Sequence, residues 1–293
     1  MTPPEEAAAG TAPARTALAG NPSDGYGGAV LALTLDQLGA RAVATRSATT
    51  RISPASSLID ATLHRFAREL EPAAASTAIE WRTSIPERVG LGGSSAIVIA
   101  VARALCKLYA VELAPARLAA LALTVEREDL GIPGGRQDQL SQAHGGLTLM
   151  DFGVDPDGRV ERLEPALLPP LVVAWHTDFA EHSGIVHAGL RSSYDRGAMV
   201  ALAELARSAA AALEAGDHEA FARCVDRSFD ARAQMLELDP QHTAMIERAR
   251  SCDACANYTG SGGAIVAACR DETHRDAVLV ELQQLGCGVL AAG

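Results

Sequence analysis

The chain has 293 residues, of which 48% are hydrophobic and 21% are charged, so we expect a soluble globular protein and not a disordered one. Its formal net charge of −11 argues against a nucleic-acid partner, because phosphate backbones attract broad surfaces rich in lysine and arginine. An acidic protein can still bind a small phosphate ligand through backbone N–H groups, a helix N-terminus and a metal ion.

The cysteines and the N-terminus give no sign of a secreted or membrane protein. Six cysteines do not make a disulfide framework in a chain of this length, and no second motif completes a zinc site with Cys252 and Cys255. Residues 1–12 lack the apolar segment of a signal peptide, so we expect a disordered leader. An apolar run that resembles a membrane span is interrupted by Arg103 and Lys107. We therefore expect a cytoplasmic location and no membrane partner.

The pattern of apolar residues predicts a mixture of strands and helices. Alternation between turn clusters indicates strands, and a spacing of three and four residues indicates helices. In chain order, we predict strand, turn and strand over 15–35, a strand over 41–53, a helix over 57–70, a strand over 78–85, helices over 94–109 and 113–128, strands over 145–152 and 171–175, helices over 197–215 and 218–237, a turn over 259–263, a strand over 264–269, a helix over 273–285 and a final strand.

The order of these elements favours an α+β fold. Strands and helices do not alternate regularly, as they would in a doubly wound parallel sheet. A proline-punctuated segment over 165–170 precedes a new apolar strand. We therefore expect two domains, an N-terminal one over 13–163 and a C-terminal one over 164–293.

The segment over 86–96, PERVGLGGSSA, ends in a glycine-rich turn directly before a predicted helix. Glycines permit close approach of the backbone, and the first turn of a helix offers unpaired N–H groups to an anion. The same pattern also fits an ordinary turn with a helix cap. No lysine follows the glycines, which excludes a Walker A loop, and the spacing of a Rossmann motif is absent.

Two carboxylates, Glu126 and Asp138, flank a loop rich in glycine and proline. Phosphoryl transfer needs one group that orients or deprotonates the acceptor hydroxyl and another that holds the metal. These two residues can divide the tasks, although Asp138 can also cap the helix that follows it. A third segment over 259–264, TGSGGA, forms a turn that either lines a ligand or connects two elements tightly.

Together, and in this order, the three segments resemble those of the GHMP kinases, a superfamily that includes galactokinase, homoserine kinase and mevalonate kinase. The N-terminal stretch over 13–28 is similar to the first motif of the sugar kinases, in which an arginine and an aspartate occupy the positions of Arg15 and Asp24. Within the superfamily, the sequence most resembles the glucuronokinases. The segment over 126–139 also resembles the heptose 7-phosphate kinases, which are the second candidate.

The resemblance implies a two-domain GHMP kinase fold with the active site in the cleft between the domains. The N-terminal domain is then ribosomal-protein-S5-domain-2-like, and the C-terminal domain is ferredoxin-like. The implied cofactors are ATP and Mg²⁺, with the metal ion held by Ser95 and Glu126. The residues implied to bind ATP are Gly90, Leu91, Gly92, Gly93, Ser94, Ser95 and Ala96.

The resemblance also implies how the acceptor is held. Asp138 accepts the proton of the sugar hydroxyl, and Arg15 stabilises the developing charge, an effect that is large in a water-poor site. Asn21 and Asp24 bind sugar hydroxyls. A uronate needs a cation for its carboxylate, for which Arg136 is a candidate by its proximity to Asp138; an exposed surface arginine is the alternative interpretation.

The implied reaction is phosphorylation of the anomeric hydroxyl of glucuronate to the sugar 1-phosphate. His187 is a further candidate contact to the sugar, and a structural histidine is its alternative reading. Two other functions are open at this point: a sugar-sensing regulator without turnover, and an ATP-dependent decarboxylase of the same superfamily. The sequence contains neither a damaged loop nor a missing aspartate that would indicate a regulator. It does not indicate an oligomeric state.

Overall fold

The computed structural model describes residues 6–176, 195–236 and 238–293. His187, a candidate from the sequence, lies outside the described residues. The strands are β1 Ala7–Ala19, β2 Ala29–Arg46, β3 Arg51–Ser53, β4 Thr77–Thr83, β5 Leu147–Asp151, β6 Arg159–Leu163, β7 Leu171–Trp175, β8 Cys255–Tyr258, β9 Ala264–Ala268 and β10 Gly288–Ala292. The α-helices are α1 Ser57–Glu69, α2 Gly93–Tyr109, α3 Pro115–Thr124, α4 Gln137–His144, α5 Arg196–Glu214, α6 His218–Ala233, α7 Pro240–Ser251 and α8 Glu272–Gln284.

The first sheet is organised around the long strand β2. Its strand order is β3-β4-β2-β5-β6, and β1 also pairs with β2 in antiparallel register. The start of β2 pairs with β5, and its end pairs with β4. Helix α2 packs against β1 and β2, so the glycine-rich segment that precedes it is fixed at the end of this layer.

The disordered leader predicted over 1–12 is wrong for the residues that the structure describes. Strand β1 begins at Ala7 and pairs with the end of β2. This part of β1 packs closely on α2, because a Cβ atom on Gly10 would lie 2.1 Å from the carbonyl oxygen of Ala100. Small residues therefore permit the close contact with α2. Because they are only weakly hydrophobic, the sequence pattern did not indicate a strand here.

The second sheet has the strand order β10-β7-β9-β8 and is antiparallel throughout. This is the ferredoxin-like order that the sequence resemblance implied. Strand β7 is buried on both faces, with Val172 and Ala174 in one apolar core and Leu171 and Val173 in another. Burial on both sides explains why β7 reads as a continuous apolar run.

The two sheets share part of their packing. Helix α5 follows the second sheet's first strand in the chain, yet it packs against β2 of the first sheet. The α+β class is confirmed. The boundary between 163 and 164 stays a prediction; it falls in the segment that joins β6 to β7.

Three elements were not predicted from the sequence, namely β6, α7 and β8. The predicted helix over 113–128 is also divided: α3 ends at Thr124, and a wider π-helical turn continues over Val125–Asp129. No helix in the described part of the chain is both long and apolar enough to cross a membrane.

Candidate active site

A cleft of about 450 Å³ lies where segments from both halves of the chain meet. The N-terminal half contributes β1, the glycine-rich segment, the π-helical turn and the start of α4. The C-terminal half contributes Arg232 of α6 and the turn between β8 and β9 at Gly260 and Ser261. The three segments that the sequence singled out therefore converge on one cavity.

The glycine-rich segment is shaped for close approach. Gly90 and Gly92 have left-handed backbone angles, φ 76° and 72°, which favour glycine. A Cβ atom on Gly90 would also lie 2.9 Å from the carbonyl oxygen of Gly262, so a side chain there would push the two loops apart. No side chain caps α2 at Gly92, which leaves the N–H groups of its first turn available to an anion.

The two serines of this segment have different surroundings. Ser95 is fully buried, and its hydroxyl donates to Gln142 Oε1 at 2.6 Å and to the carbonyl oxygen of Gly92 at 3.1 Å. Ser94 lines the cleft, and its hydroxyl donates to Glu126 Oε1 at 2.5 Å. Ser94 is therefore the serine beside the Glu126 carboxylate, because helix geometry points adjacent residues in different directions. The role of Ser95 at a metal ion stays a prediction.

Glu126 is only 4% exposed and sits on the π-helical turn. Its second oxygen accepts from Gln139 Nε2 at 2.5 Å. No arginine or lysine forms an ion pair with Glu126 among the described residues. Desolvation by burial raises its pKa to about 7, although the hydrogen bonds from Ser94 and Gln139 act in the opposite direction.

These surroundings fit a divalent cation. Within the described ranges, the buried carboxylate of Glu126 forms no ion pair, although the charge of Arg127 acts on it, and the buried Oε1 atom of Gln139 has no hydrogen-bond partner. Oxygen ligands of this kind suit Mg²⁺, which usually takes only one or two protein ligands and completes its shell with phosphate and water. No cluster of three or more acidic, histidine or cysteine side chains that could hold a metal occurs in the described ranges.

Asp138 lies in the first turn of α4 and is paired with Arg15 of β1. The Nε and Nη2 atoms of Arg15 lie 2.8 and 2.7 Å from Asp138 Oδ1. Arg15 is 3% exposed, whereas the side chain of Asp138 is 28% exposed, so the carboxylate reaches the cleft from a buried support.

The remaining nitrogen of Arg15 binds the two loops that close the site. Its Nη1 atom donates to the carbonyl oxygens of Gly90, at 2.7 Å, and Thr259, at 2.6 Å. Thr259 Oγ1 also donates to Gly90 at 3.0 Å. One buried guanidinium therefore fixes Asp138 relative to the glycine-rich segment and to the turn of the C-terminal half.

Asp24 and Asn21, predicted to bind sugar hydroxyls, are largely occupied by the protein. Asp24 Oδ2 accepts from the backbone N–H groups of Arg136 and Gln137, at 2.7 and 3.1 Å, and so caps the start of α4. Burial raises the pKa of Asp24 to about 6. Asn21 lines the cleft, but its amide group is bound to Tyr258 and Asn257.

The structure does not place the guanidinium of Arg136 in the cleft. It donates to the carbonyl oxygen of Pro156, in the connection between β5 and β6. Only the backbone N–H of Arg136 bonds to a residue of the site, namely Asp24. The geometry therefore does not support Arg136 as the ligand of a uronate carboxylate. Sequence proximity to Asp138 could not reveal the direction of this side chain.

An apolar end of the cleft was missed by the sequence reasoning. It is formed by side chains from α1, β4, the segment after β4, α2 and α3, namely Leu58, Trp81, Ile85, Ile97 and Leu123. These residues are far apart in the chain and have no common motif. A flat apolar ligand such as a nucleotide base fits this type of surface.

The chain matches the family model of the GHMP kinase N-terminal domain over residues 57–146 and that of the GHMP kinase C-terminal domain over residues 209–286. These two matches together cover more than half of its length, and the chain belongs to the GHMP kinase superfamily.

Three proteins illustrate what the chain is similar to. Glucuronokinase 1 of Arabidopsis thaliana is 32% identical over 225 residues, which cover 71% of this chain and 61% of that protein. The chain thus spans about three fifths of the plant protein's length. The D-glycero-alpha-D-manno-heptose 7-phosphate kinase of Campylobacter jejuni is 36% identical over 89 residues, which cover 30% and 26% of the two chains.

Among solved structures, the phosphomevalonate kinase of Streptococcus pneumoniae in complex with phosphomevalonate and AMPPNP superposes with a TM-score of 0.84. The match covers 96% of this chain and 98% of that one. At 18% identity, this likeness establishes the fold alone.

Proposed function

We propose that the chain is an ATP-dependent kinase that phosphorylates the anomeric hydroxyl of glucuronate and gives the sugar 1-phosphate. The observation that carries the proposal is the buried Arg15, which holds Asp138 and the glycine-rich segment together at the cleft. The similarity to a plant glucuronokinase supports the choice of sugar.

The nucleotide would lie along the cleft, with its base at the apolar end near Trp81 and its phosphates at the N-terminus of α2. Backbone N–H groups after Gly92 and the dipole of a 17-residue helix stabilise negative charge there. Ser94, Glu126 and Gln139 would hold Mg²⁺, with Ser95 supporting the loop from inside the core. When bound, Mg²⁺ neutralises charge on the phosphates.

Asp138 would orient the acceptor hydroxyl and take its proton as the bond between the sugar oxygen and the γ-phosphorus forms and the bond from that phosphorus to the departing ADP oxygen breaks. Its pairing with Arg15 fixes the carboxylate in one direction, and the positive charge of Arg15 lies where negative charge develops. Asp24 supports this arrangement indirectly, because its cap on α4 sets the position of Asp138.

The Asp138→Asn variant tests the proposal. We expect turnover to fall by roughly 10²- to 10⁴-fold, the usual contribution of a general base, while AMPPNP still binds. Asp151→Asn is a matched control, because Asp151 also forms an ion pair with an arginine, Arg207 at 2.7 Å, but does not line the cleft. That control should lose stability and keep its turnover. Near-normal turnover of Asp138→Asn would remove Asp138 from this role.

The sugar is tested by ADP release with glucuronate, galacturonate, glucose and a heptose 7-phosphate, followed by phosphorus NMR of the product. Turnover of the heptose phosphate alone would favour the second candidate, which the local similarity to a heptose 7-phosphate kinase supports. No ADP release with any sugar would favour a sugar-sensing regulator.

A further inference from the structure

Four arginines line the cleft, and two of them are already occupied. Arg15 is bound to Asp138 and to two carbonyl oxygens. Arg232 is 1% exposed and donates to the carbonyl oxygens of Gly260 and Ser261, at 2.6 and 3.0 Å. Neither guanidinium can turn to a new anion without breaking these bonds.

Arg127 has a different environment. It follows Glu126 on the π-helical turn and donates through Nε to the carbonyl oxygen of Gly134 at 3.1 Å. Its Nη2 atom donates to the same oxygen, whereas its Nη1 atom makes no hydrogen bond within 6–176, 195–236 and 238–293. No carboxylate forms an ion pair with Arg127 in those ranges. The side chain is therefore oriented but still has donors to offer.

Arg127 also lies between two cavities. Besides the main cleft, it lines an adjoining pocket of about 500 Å³ together with Pro22, Tyr26 and the loop over 131–135. Pro22, in the turn after β1, lines both cavities, whereas none of the five residues at the apolar end lines this pocket. Because Asp138 lines the main cleft and Arg127 lines both cavities, we expect a sugar held at Asp138 to reach this pocket.

The side chain of Arg127 is exposed, and the charged groups that act on it are Arg136, Asp24 and Glu126. Arg88, the fourth arginine of the cleft, flanks the glycine-rich segment and does not line the adjoining pocket. Both Arg88 and Arg127 have donors to offer, and only Arg127 lines both cavities, so position singles out Arg127.

Resting on the proposed kinase function, we infer that Arg127 binds the anionic group of an acidic sugar substrate in this adjoining pocket. The anion is the carboxylate of a uronate or the distal phosphate of a sugar phosphate, since a guanidinium fork recognises both. Arg127 thus contributes to substrate binding and specificity, whereas Asp138 acts in the transfer step.

Calorimetry on the whole protein with AMPPNP and Mg²⁺ tests the inference. Glucuronate, galacturonate, glucose and mannose 6-phosphate are the probes, and Arg127→Met, Arg127→Lys, Arg136→Met and Arg88→Met are the variants. We expect Arg127→Met to weaken binding of the acidic sugar roughly 10- to 100-fold, as loss of a charged hydrogen bond does. Arg127→Lys should restore part of the affinity. Affinity for AMPPNP should not change.

Arg159→Met serves as the inert control, because Arg159 is exposed on strand β6 and lines neither cavity. Unchanged binding in Arg127→Met, or an equal loss in Arg136→Met or Arg88→Met, would overturn the inference. Comparison of the affinities for the uronates and for mannose 6-phosphate identifies whether Arg127 binds a carboxylate or a phosphate.

The outcomes for the two proposals are separable. A wild-type protein that binds no acidic sugar refutes the role of Arg127, even if it phosphorylates glucose and so remains a kinase. A wild-type protein that binds glucuronate through Arg127 but releases no ADP refutes the kinase and leaves the anion site standing.

Discussion

Replacement of Glu126 by glutamine removes a buried charge and keeps the size of the side chain. The carboxylate has an ordinary pKa of 4.5 and a pKa of about 7 in the fold, because burial disfavours its ionised form. The hydrogen bonds can be kept: Ser94 still has an acceptor, and the amide of Gln139 can turn so that its unpartnered Oε1 accepts from the new amide.

The pKa rise has a definite consequence for stability. Between pH 4.5 and 7, the folded protein holds a proton on Glu126 that the unfolded chain has released, so the free energy of unfolding falls as the pH increases. The whole rise corresponds to about 3 kcal/mol. Glu126→Gln does not titrate, so we expect it to equal the wild type near pH 4.5 and to be more stable by about 3 kcal/mol above pH 7.

Urea unfolding of both proteins from pH 4.5 to 8 measures this difference. Asp24, whose pKa rises from 3.8 to about 6 in the fold, titrates in both proteins and cancels in the comparison. Glu161→Gln is the control, since Glu161 is exposed on β6 and its replacement should change the free energy of unfolding little. If the difference in unfolding free energy between Glu126→Gln and the wild type did not change with pH, or if the variant were less stable at pH 8, Glu126 would not be a buried carboxylate with a raised pKa.

Two further substitutions test how the site is held. Ser94→Ala should raise the Mg²⁺ concentration needed for turnover and should have little effect on stability. Ser95→Ala should keep the Mg²⁺ dependence but lower the stability by about 1–3 kcal/mol, because Gln142 loses its hydrogen-bond donor. Magnesium titrations and urea unfolding measure the two effects. A changed Mg²⁺ dependence in Ser95→Ala and not in Ser94→Ala would indicate that Ser95 contacts the metal. Gly135→Ala would place a Cβ atom 1.8 Å from Asp24 Oδ2, so the cap on α4 should break and the stability should fall by about 1–3 kcal/mol. Gly134→Ala is the control: its Cβ atom would meet no atom within 4 Å, so the stability should not change. Equal melting temperatures of these two variants would contradict the role of Asp24 as the anchor of α4.

Local sequence determined much of the fold. Helix α1 and strand β7 begin and end within a residue or two of their predicted bounds, because their apolar spacing and their turn residues act over a few positions only. Strand β1 shows the limit: its many alanines and its one glycine are weak local signals, and pairing with β2 and packing on α2 decide its structure.

The candidate site divides in the same way. The sequence by itself determined that a glycine-rich turn precedes α2 and that Glu126 and Asp138 flank one loop, since these are features of residue type and order. The resemblance to the GHMP kinases added Arg15 and the turn at Thr259. Only the tertiary structure decided the directions of the side chains. Ser94 and not Ser95 meets Glu126, because adjacent helical residues point about 100° apart, and only one of them can face the cleft.

The same reason applies to the arginines. Arg127 and Arg136 flank one loop and carry the same charge, so sequence alone cannot separate them. The path of the loop sends Arg136 to the carbonyl oxygen of Pro156 and leaves Arg127 between two cavities. Which arginine meets the substrate is therefore set by contacts between segments far apart in the chain, and these exist only in the folded molecule.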